Sequence, residues 1–421
     1  MSAILSLSPL HPAPHAAPAV RPRLRVGVLV DLALTPHAGG HVKCWERLAE
    51  AAVGCPDLLD LTVHFNGPAS RIELAPNVRY VLLPPVFSTE WLVRNVPDHT
   101  DLAPWHRRLA GALADYDVVH TTDAFFCYAQ TATRFARRHG LPVVTSIHTN
   151  TPEYARITVE QQLERLLRRG IAYRLAVDGL GLPNWPRRFL ERRLRRHLER
   201  VTQAIGGHGE PLRRGLDHAL FSPAHRNRDW FEARFGLPRD RVMLMYAGKL
   251  NAGKNALLLI PVMESLIAAG SPVHLFCAGA GEERANLETR LGAAATCAGV
   301  LAQDELARAY ASADIFLFPS VIDEFGNAGL EALASGLPAV LAAGSGVAAQ
   351  MADCPAVWVL PGSAPELWVP VVARLVAEPE RRRRLGRAAR AYVEEHVPTW
   401  REVLTEDLLP VWQAAAAARP A

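Results

Sequence analysis

The sequence predicts a doubly wound α/β protein built from two domains. Short apolar runs rich in valine, typical of buried parallel strands, alternate with amphipathic segments of helical period. This alternation begins near Leu24 and starts afresh near Val242. A length of 421 residues fits roughly two to three domains of ordinary size. We therefore expect two parallel sheets, each covered by helices on both faces.

The first unit opens with the run LRVGVLVDLAL, which predicts a strand over Leu24–Leu34. A helix is expected directly after Gly39 and Gly40, because Val42, Trp45, Leu48, Ala49 and Ala52 follow at helical spacing. Further strands are predicted at Leu61–Phe65, Arg79–Leu83, Val118–Thr121 and Val143–Ile147.

The turn at Gly39 and Gly40 has two interpretations. A glycine turn between a first strand and a first helix lets a diphosphate approach the backbone closely. The full G-x-G-x-x-G pattern is absent, so an ordinary strand-to-helix turn explains the two residues better when they are taken alone.

The second unit has predicted strands at Val242–Ala247, Val273–Ala278 and Ile315–Phe318, and in the runs LPAVLA and VWVL. After the second of these strands, GAGEERA begins like a dinucleotide-binding loop, but Arg284 stands where the third glycine belongs. That departure argues against a nicotinamide cofactor.

These patterns divide the chain into four segments. Residues 1–22, rich in Pro, Ala and His, are expected to form a disordered leader, followed by an N-terminal domain over residues 23–217. A C-terminal domain is expected over residues 218–395. Residues 396–421, with the amphipathic run TWREVLTEDLLPVW, are expected to form a helix that packs back on the N-terminal domain.

Composition excludes several classes of protein. The six cysteines are scattered without metal-binding spacing, which indicates reduced cytosolic thiols and no zinc site. A net charge of +4 is too small to indicate nucleic acid, and no apolar run is long enough to span a bilayer. Asp115 and Asp117 form a D-x-D triplet, but a turn into the strand DVVH explains it better than a metal site does.

Positive charge is concentrated in one segment. Between Gln161 and Arg200 there are eleven arginines against four acidic residues. In its densest part, WPRRFLERRLRRHLERV, the residues Trp185, Phe189, Leu190, Leu194 and Leu198 are expected to share one side of a helix, with arginines on the other. Residues 185–200 could contact an anionic membrane, or they could form a solvated face over the protein's own core.

The stretch FPSVIDEFGNAGLEALASG contains two acids and a glycine turn that are candidates for ligand binding. Asp323 and Glu331 are eight positions apart, and a fully helical step of that length would span about 12 Å. The two acids should therefore contact different parts of one ligand. The turn around Gly326 would present backbone N–H groups at a helix N-terminus, which suits a phosphate between them. Ordinary surface acids beside a strand-turn-helix unit are the alternative.

Two histidines follow apolar strands, His120 in DVVHTTD and His148 in TSIHTNTPEY. In a doubly wound sheet the ligand crevice lies beyond the carboxyl ends of the strands, so both positions are suited to a site. A structural role remains the alternative for each.

Taken in order, these motifs resemble the large retaining glycosyltransferase family numbered four, which has the two-domain GT-B fold. The resemblance covers nearly the whole chain, roughly Arg25 to Trp412. It rests on DVVHTTD, SIHTNTPEY, LRRGLDHALFSP, YAGKLNAGKN, GVLAQDELARAYASADIFLFPS and the acidic stretch. The fold it implies is α/β GT-B, with two Rossmann-like doubly wound domains facing a central cleft.

The resemblance also implies roles for individual residues. Lys249 and Lys254 match the basic pair that faces the donor diphosphate, and His120 matches a histidine at the donor–acceptor junction. Asp323 matches the acid near the transferred sugar, and Glu331 matches the acid that holds the ribose hydroxyls. The remaining matches are Gly40 for the donor phosphates, Val300 and Leu301 for the base, and Phe325, Gly326 and Asn327 for the sugar and phosphate. His148 and Glu153 are acceptor-side candidates.

Two positions depart from the family's common pattern. Asp323 stands where Glu is common, one methylene shorter, which leaves the donor sugar open. Lys249 stands where Arg is common, in a chain whose 46 basic residues include only three lysines. A point-charge ammonium in place of a planar fork suggests a single phosphate contact.

The expected activity is retaining transfer of a sugar from a UDP- or GDP-sugar to a hydroxyl acceptor, in glycan, polysaccharide or glycolipid biosynthesis. The nucleotide-sugar is a co-substrate, and no cofactor, metal or nucleic acid is expected. The acceptor would be a sugar or a lipid-linked compound, met in the cytoplasm or at the inner face of the membrane. The alternatives are a nucleotide-sugar epimerase of the same fold and a non-catalytic carbohydrate-binding protein.

Overall fold

The computed structural model describes residues 23–35, 38–91, 99–148, 151–168, 170–205, 212–320 and 326–419. The expected leader over residues 1–22 lies outside this part of the chain, as do Asp323 and Phe325. The described residues form two α/β units, each organised around one largely parallel sheet.

The first sheet has seven strands in the order β3-β4-β2-β1-β5-β6-β7, parallel throughout except at the β3–β4 edge. The strands are β1 (Leu24–Ala33), β2 (Leu59–Asn66), β3 (Ser70–Ala75), β4 (Val78–Leu83), β5 (Val118–Thr121), β6 (Val143–Ser146) and β7 (Gln203–Ile205). The strand order reverses between β1 and β5, where Val28 lies opposite His120. A doubly wound sheet binds its ligands at such a switch point.

Among the described residues, six helices of this unit lie between β1 and β7: α1 (Gly40–Val53), α2 (Arg107–Ala112), α3 (Cys127–His139), α4 (Thr151–Leu167), α5 (Ile171–Arg174) and α6 (Asn184–Leu198). A π-helical segment, Leu175–Gly179, follows α5. Helix α1 buries all five apolar positions that its period predicted, from Val42 to Ala52. These side chains pack against the core on one face of the sheet.

The second sheet has six parallel strands in the order β10-β9-β8-β11-β12-β13, with its switch point between β8 and β11. The strands are β8 (Val242–Ala247), β9 (Val273–Ala278), β10 (Ala295–Gly299), β11 (Ile315–Phe318), β12 (Ala339–Ala342) and β13 (Val357–Leu360). The helices are α7 (Arg228–Phe235), α8 (Leu259–Ala268), α9 (Arg284–Leu291), α10 (Gln303–Ser312), α11 (Asn327–Ala334), α12 (Gly346–Gln350), α13 (Pro365–Ala377) and α14 (Pro379–His396).

The end of the chain returns to the first unit. Helix α15 (Trp400–Glu402), the π-helical segment Val403–Leu408 and helix α16 (Leu409–Ala417) follow α14. Their side chains Val403, Leu404, Leu408, Trp412 and Ala415 are buried in the same core as β1 and α1. The first unit is therefore completed by residues from the opposite end of the sequence.

The chain crosses between the two units twice, and the two crossings run side by side. The Leu216 N–H donates to the Pro398 carbonyl at 2.9 Å. Gly215 lies against Trp400, so close that an added Cβ would sit 2.6 Å from the Trp400 Cα. Arg213 forms ion pairs with Glu406 and Asp407 across the same junction.

Three strands lie outside the sequence prediction, namely β3, β7 and β10. The first five residues of β3, at positions 70–74, are all exposed. Strand β3 therefore has no buried apolar run by which the sequence could reveal it. Strand β7 contains only three residues at a sheet edge. Edge strands of this kind lack the continuous apolar pattern of central strands.

The predicted orientation of α6 is wrong for its two aromatic residues. Trp185 is 63% exposed and Phe189 57% exposed, so neither lies with the leucines. At 100° per residue these two share a stripe with Arg188 and Arg192, whereas Leu190, Leu194 and Leu198 lie on the opposite side. Among the described residues, no helix is long and apolar enough to cross a membrane.

Candidate functional site

Two helix N-termini, one from each unit, lie close together. Gly40 begins α1 in the first unit, and Asn327 begins α11 in the second. A Cβ built on Gly40 would lie 3.6 Å from the Asn327 amide nitrogen. The unpaired N–H groups at the start of both helices are therefore presented to the same space, an arrangement that favours an anion.

The two lysines of the second unit occupy the loop after β8. The Asn251 side chain accepts from the Lys254 N–H at 2.9 Å and caps the short 3-10 turn Ala252–Lys254. Asn255 follows in the left-handed conformation, and its amide donates to the Pro319 carbonyl at 3.2 Å and to the Gly362 carbonyl at 2.7 Å. The basic loop is thus fastened to the carboxyl end of β11, where the acidic stretch begins.

The backbone of Lys249 is fixed by a residue of the preceding strand, β8. The Tyr246 hydroxyl donates to the Lys249 carbonyl at 2.8 Å, and Tyr246 itself is fully buried. The Lys249 and Lys254 side chains are both half-buried. The loop therefore has a fixed backbone, and its two ammonium groups are carried at the sheet's carboxyl edge.

The glycines of the GAGEERA segment serve to pack two loops together. The Gly248 N–H donates to the Ala278 carbonyl and the Leu250 N–H to the Ala280 carbonyl, each at 2.9 Å. A Cβ on Gly279 would lie 1.9 Å from the Gly248 carbonyl oxygen, and one on Gly281 would lie 2.1 Å from that of Leu250. This close backbone contact explains the resemblance to a dinucleotide-binding loop without a dinucleotide.

The two residues matched to the nucleotide base follow the same loop. Gly299 accepts the Gly279 N–H at 2.7 Å, and Val300 and Leu301 come next. Val300 is 53% exposed, whereas Leu301 packs partly against the core. This pair therefore presents one exposed apolar side chain and the adjoining backbone beside the basic loop.

Glu331 lies one turn inside α11. The Tyr310 hydroxyl donates to its carboxylate at 3.2 Å, and Tyr310 is fully buried. Burial raises the pKa of Glu331 to about 7, and this rise is opposed by the Tyr310 hydrogen bond and by the positive charge of Arg47. Because Arg47 belongs to α1, the acid experiences a charge from the other unit.

Gly326 caps the N-terminus of α11 with φ at +61°, in the left-handed region that favours glycine. A Cβ at this position would lie 2.4 Å from Val347 Cγ1. Asn327 and Glu331 are therefore placed by a turn that only glycine fits. The two other residues predicted for this stretch, Asp323 and Phe325, fall outside the described residues.

His120 and His148 are joined through Ser146 into a buried network. His120 Nε2 and His148 Nε2 each lie 2.7 Å from Ser146 Oγ. The Trp412 indole N–H donates to His120 Nδ1 at 2.9 Å, and Arg214 Nη2 lies 3.1 Å from His148 Nδ1. Since both Nδ1 atoms face donors, both Nε2 atoms carry the proton and donate to the serine oxygen.

Both rings of this network are neutral and enclosed. Burial lowers the pKa of His120 to about 3 and holds that of His148 well below its usual value. His120 is 0% exposed and His148 4% exposed. His41, one position after Gly40, stacks on His148 with ring centroids 4.4 Å apart. His120 is therefore connected to His148 through Ser146, while its own ring has no exposed surface.

Several residues of this network were not predicted. Trp412 and Arg214 come from distant segments, and Ser146 and His41 stand beside predicted residues. The TSIH segment gave one usable signal, since a serine two positions before a strand-end histidine shares its face of the strand. Nothing in the sequence joins Trp412 to His120, which is 292 positions away.

Asp31, near the carboxyl end of β1, is another residue that the sequence did not predict for the site. Its carboxylate accepts from the Asn66 amide at 2.7 Å, the Tyr128 N–H at 2.9 Å and the Asp101 N–H at 3.0 Å. Burial, together with the charge of Asp123, raises the pKa of Asp31 to about 7. The residue ties three segments together at the switch point of the first sheet.

The remaining acceptor-side candidate, Glu153, lies in the first turn of α4. It pairs with Arg156 at 2.8 Å and with Arg187 of α6 at 3.4 Å. The D-x-D triplet lies elsewhere: Asp117 pairs with Arg25 at 2.7 Å at the amino ends of β5 and β1. Among the described residues, no group of three or more His, Cys, Asp or Glu side chains could hold a metal ion.

Comparison with known proteins agrees with this geometry. Residues 227–392 match the sequence profile of the family described as glycosyl transferases group 1. The D-inositol 3-phosphate glycosyltransferase of Nocardiopsis dassonvillei is 29% identical over 77% of this chain and 73% of its own length. The GDP-mannose-dependent alpha-mannosyltransferase of Mycolicibacterium smegmatis is 29% identical over 74% of this chain and 78% of its own.

The fold has solved counterparts as well. Sucrose-phosphate synthase from Thermosynechococcus elongatus superposes with a TM-score of 0.65 at 18% identity, over 94% of this chain and 100% of that one. Identity at this level shows the shared fold alone. Together these comparisons show that the chain has the GT-B fold, that its residues 227–392 match the glycosyl transferases group 1 family, and that it is similar over most of its length to known glycosyltransferases.

Proposed function

We propose that the protein transfers a sugar from a UDP- or GDP-sugar to a hydroxyl acceptor with retention of configuration and without a metal. One observation carries the proposal. The loop of Lys249 and Lys254 is fastened to the carboxyl end of β11, beside the helix N-terminus of Asn327 that meets Gly40 across the cleft. Positive groups and free N–H donors thus converge where a diphosphate would lie.

The lysines would stabilise the charge that develops on the departing nucleoside diphosphate, because preorganised cations act most strongly where charge appears in the transition state. Glu331 would accept hydrogen bonds from the ribose hydroxyls. Val300 and Leu301 would meet the base, and Gly40 and Gly326 would admit the phosphates close to the backbone.

The sugar itself would lie against the stretch that contains Asp323 and Phe325, with Asn327 at its edge. Glu153 would face the acceptor, whereas the enclosed His148 would act on that side of the cleft through the His41 ring that stacks on it, with His120 joined to His148 through Ser146. Because Asp323 replaces the more common Glu, several sugars remain candidates for the group that the donor carries.

Retention with same-face attack is favoured by the state of the buried carboxylates. Glu331 is bonded to Tyr310, and Asp31 is engaged by three donors. Each of these two acids already has partners in the fold, so we assign neither as the nucleophile of a double displacement. The leaving phosphate oxygen would take the proton of the attacking hydroxyl, so that the acceptor adds on the face the diphosphate leaves.

The test compares Lys254→Ala and Glu331→Ala with Arg290→Ala across a panel of UDP- and GDP-sugars. Arg290 is an exposed residue of the same unit that pairs with Glu264, so its variant removes one positive charge away from the cleft. We expect losses of about 100-fold or more in the first two and wild-type rates in the third. Unchanged transfer in both site variants would refute the site.

The alternatives make different predictions. An epimerase would isomerise the donor without acceptor, which NMR of the nucleotide-sugar alone would detect. A non-catalytic protein would bind carbohydrate and transfer nothing. The family match and the intact basic loop favour transfer.

Location belongs to the same proposal. All six cysteines are buried free thiols, which supports a reducing compartment such as the cytoplasm. Peripheral contact with the inner face of an anionic membrane through residues 185–200 is supported by the exposure of Trp185 and Phe189 among arginines.

A further inference from the structure

The loop that follows β4 carries an exposed aromatic pair. Trp91 is 63% exposed and Phe87 41% exposed, and their ring centroids lie 5.9 Å apart at an interplanar angle of 74°. Edge-to-face contact of this kind is favourable, so each ring helps to orient the other. Two aromatic side chains held together in solvent are typical of a binding surface. We call Phe87 and Trp91 the aromatic platform.

The backbone of the aromatic platform is fixed by a buried acid. Asp101 is 0% exposed, and its carboxylate accepts from the Val86 N–H at 2.7 Å and from the Phe87 N–H at 2.9 Å. The Thr89 N–H donates to the Thr100 carbonyl at 2.9 Å, and the Thr100 N–H donates to the Thr89 hydroxyl at 2.9 Å. The two arms of the loop are therefore paired, and the platform is preorganised for a ligand.

The start of the loop is fixed as well. The Leu109 N–H donates to His106 Nδ1 at 3.1 Å, so His106 Nε2 carries the proton and donates to the Pro84 carbonyl at 3.1 Å. Because His106 caps the N-terminus of α2, the loop is held between β4 and this helix.

The same buried acid connects the platform to the switch point of the first sheet. The Asp101 N–H donates to the Asp31 carboxylate at 3.0 Å. Asp31 lies two positions beyond Leu29, which pairs with Thr121 across the switch point. Asp101 and Asp31 thus join the platform to the edge of the sheet where a doubly wound fold binds its ligands.

The charges and polar groups of the loop indicate the kind of ligand. Between residues 84 and 103, the acids in the described ranges are Glu90 and Asp101, and no lysine or arginine stands among these described residues. An acidic surface of this kind repels phosphate-bearing ligands. A sugar ring is uncharged and presents a face of C–H groups that packs on an aromatic ring. Its hydroxyls suit the polar rim formed by Glu90, Thr89 and His99, the last two of which lie 3.4 Å apart.

We propose that the aromatic platform is a saccharide subsite and that it holds one ring of the enzyme's acceptor. The second part rests on the proposed transferase function, whereas saccharide binding at the platform does not. The acceptor is accordingly a carbohydrate of two or more rings, one stacked on Trp91 and another carrying its hydroxyl into the cleft. Phe87 supports Trp91 through the edge-to-face contact.

The test titrates the full chain with methyl glycosides of glucose and mannose, from single rings up to tetrasaccharides, by ligand-observed NMR and tryptophan fluorescence. Trp91→Ala and Phe87→Ala each remove one ring, and Trp91→Phe keeps an aromatic face without the indole. Leu367→Ala is the control, because Leu367 is an apolar side chain of α13 with a comparable exposure of 46%. Thermal unfolding of every variant checks that the fold is retained.

We expect the wild type to bind the longer glycosides about tenfold more tightly than single rings, because burying about 50 Å² of apolar surface contributes roughly that factor. Trp91→Ala should lose this advantage, Phe87→Ala should lose part of it, and Trp91→Phe should keep most of it. Binding should change the tryptophan fluorescence of the wild type but not that of Trp91→Phe.

The transfer reaction gives a second measurement. Trp91→Ala should raise the KM for an acceptor of two or more rings about tenfold, with kcat and the KM for the donor unchanged. A residue that only stabilised the fold would not separate the two KM values in this way. Leu367→Ala should match the wild type in both.

Equal saccharide affinity in the wild type and both alanine variants would overturn the subsite, as would the absence of wild-type binding to every glycoside. Loss of self-association in Trp91→Ala without loss of saccharide binding would assign the surface to a second copy of the chain and overturn the proposal. Binding that depends on Trp91, with an unchanged KM for the acceptor, would overturn the acceptor assignment alone. The same binding in a chain that transfers no sugar would refute the transferase function and leave the saccharide subsite standing.

Discussion

The Trp412 indole N–H donates to His120 Nδ1 at 2.9 Å, although the two residues are 292 positions apart. Both side chains are completely buried. Through this bond the final helix of the chain fixes the ring orientation and tautomer of a histidine at the switch point of the first sheet. The C-terminal segment is therefore part of the candidate site's support.

Trp412→Phe should destabilise the protein more than Trp45→Phe does. Both indoles are 0% exposed, but Trp45 Nε1 has no hydrogen-bond partner among the described residues, whereas Trp412 has His120. Leaving His120 Nδ1 buried without its donor should add about 1–3 kcal/mol to the loss. Urea unfolding of the two variants measures this difference, and equal losses would count against the bond.

The same substitution should change the histidine itself. With the indole donor gone, His120 has no reason to keep its proton on Nε2, and the Ser146 contact loses its fixed polarity. Nitrogen NMR of labelled histidine should report the Nε2-protonated tautomer in the wild type and a mixture in Trp412→Phe. An unaltered spectrum would show that Trp412 only packs against the ring.

Donor affinity should rise as the pH increases through about 7. Burial raises the pKa of Glu331 to about 7, and under the proposed function ribose hydroxyls would donate to its ionised form. The ionised fraction increases about tenfold between roughly pH 6 and pH 8, and the affinity should follow it. Calorimetry should show this rise in affinity with pH for a nucleotide-sugar, whose diphosphate does not titrate in that pH range. Glu331→Gln should bind the nucleotide-sugar weakly, with an affinity that does not depend on pH.

Glu331→Gln should also stabilise the protein at high pH. The folded-state pKa of about 7 lies above the ordinary 4.5, so the folded state binds more protons between these values and the free energy of unfolding falls as the pH rises through that window. A neutral glutamine removes this penalty. We expect a gain of about 3 kcal/mol near pH 8 and less than about 1 kcal/mol near pH 5, measured by urea unfolding. A gain that is independent of pH would contradict the raised pKa.

Gly279→Ala should disrupt the donor loop, because the new methyl group would lie 1.9 Å from the Gly248 carbonyl oxygen. That contact requires the loop of Lys249 to move. Gly111→Ala is the control, since Gly111 lies within helix α2 with no atom near its absent Cβ, and alanine there should stabilise by about 0.5–1 kcal/mol. Thermal unfolding and nucleotide binding of both variants decide the point, and wild-type nucleotide affinity in Gly279→Ala would refute the loop's role.

Four of the strands could be predicted from the sequence to the residue. Strands β5, β8, β9 and β11 have the bounds that their apolar runs predicted. A strand that is buried on both faces is apolar along nearly its whole length, so the apolar run marks both of its ends. Edge strands such as β3 and β7 were not predicted, because exposed strands lack that apolar pattern. The exposure of the aromatic residues of α6 was not predicted for a related reason. Periodicity shows which residues share a face of a helix, but it does not show which face is covered by the rest of the protein.

The candidate site divides in the same way. Lys254, Gly326 and Glu331 belong to local motifs, and the fold presents them at the expected sheet edge. His120 was predicted as a strand-end residue, but its enclosure depends on Trp412, and no local pattern reveals a contact with the far end of the chain. The close packing of Gly279 on Gly248 likewise became visible only in three dimensions.

The most direct test of the account is the product of the first turnover. The full chain is incubated with UDP- and GDP-sugars and candidate hydroxyl acceptors, and the anomeric configuration of the product is read by NMR before it equilibrates. We expect a glycoside with the configuration of the donor sugar, formed in buffer containing a metal chelator. An inverted product, or isomerised donor without transfer, would contradict it.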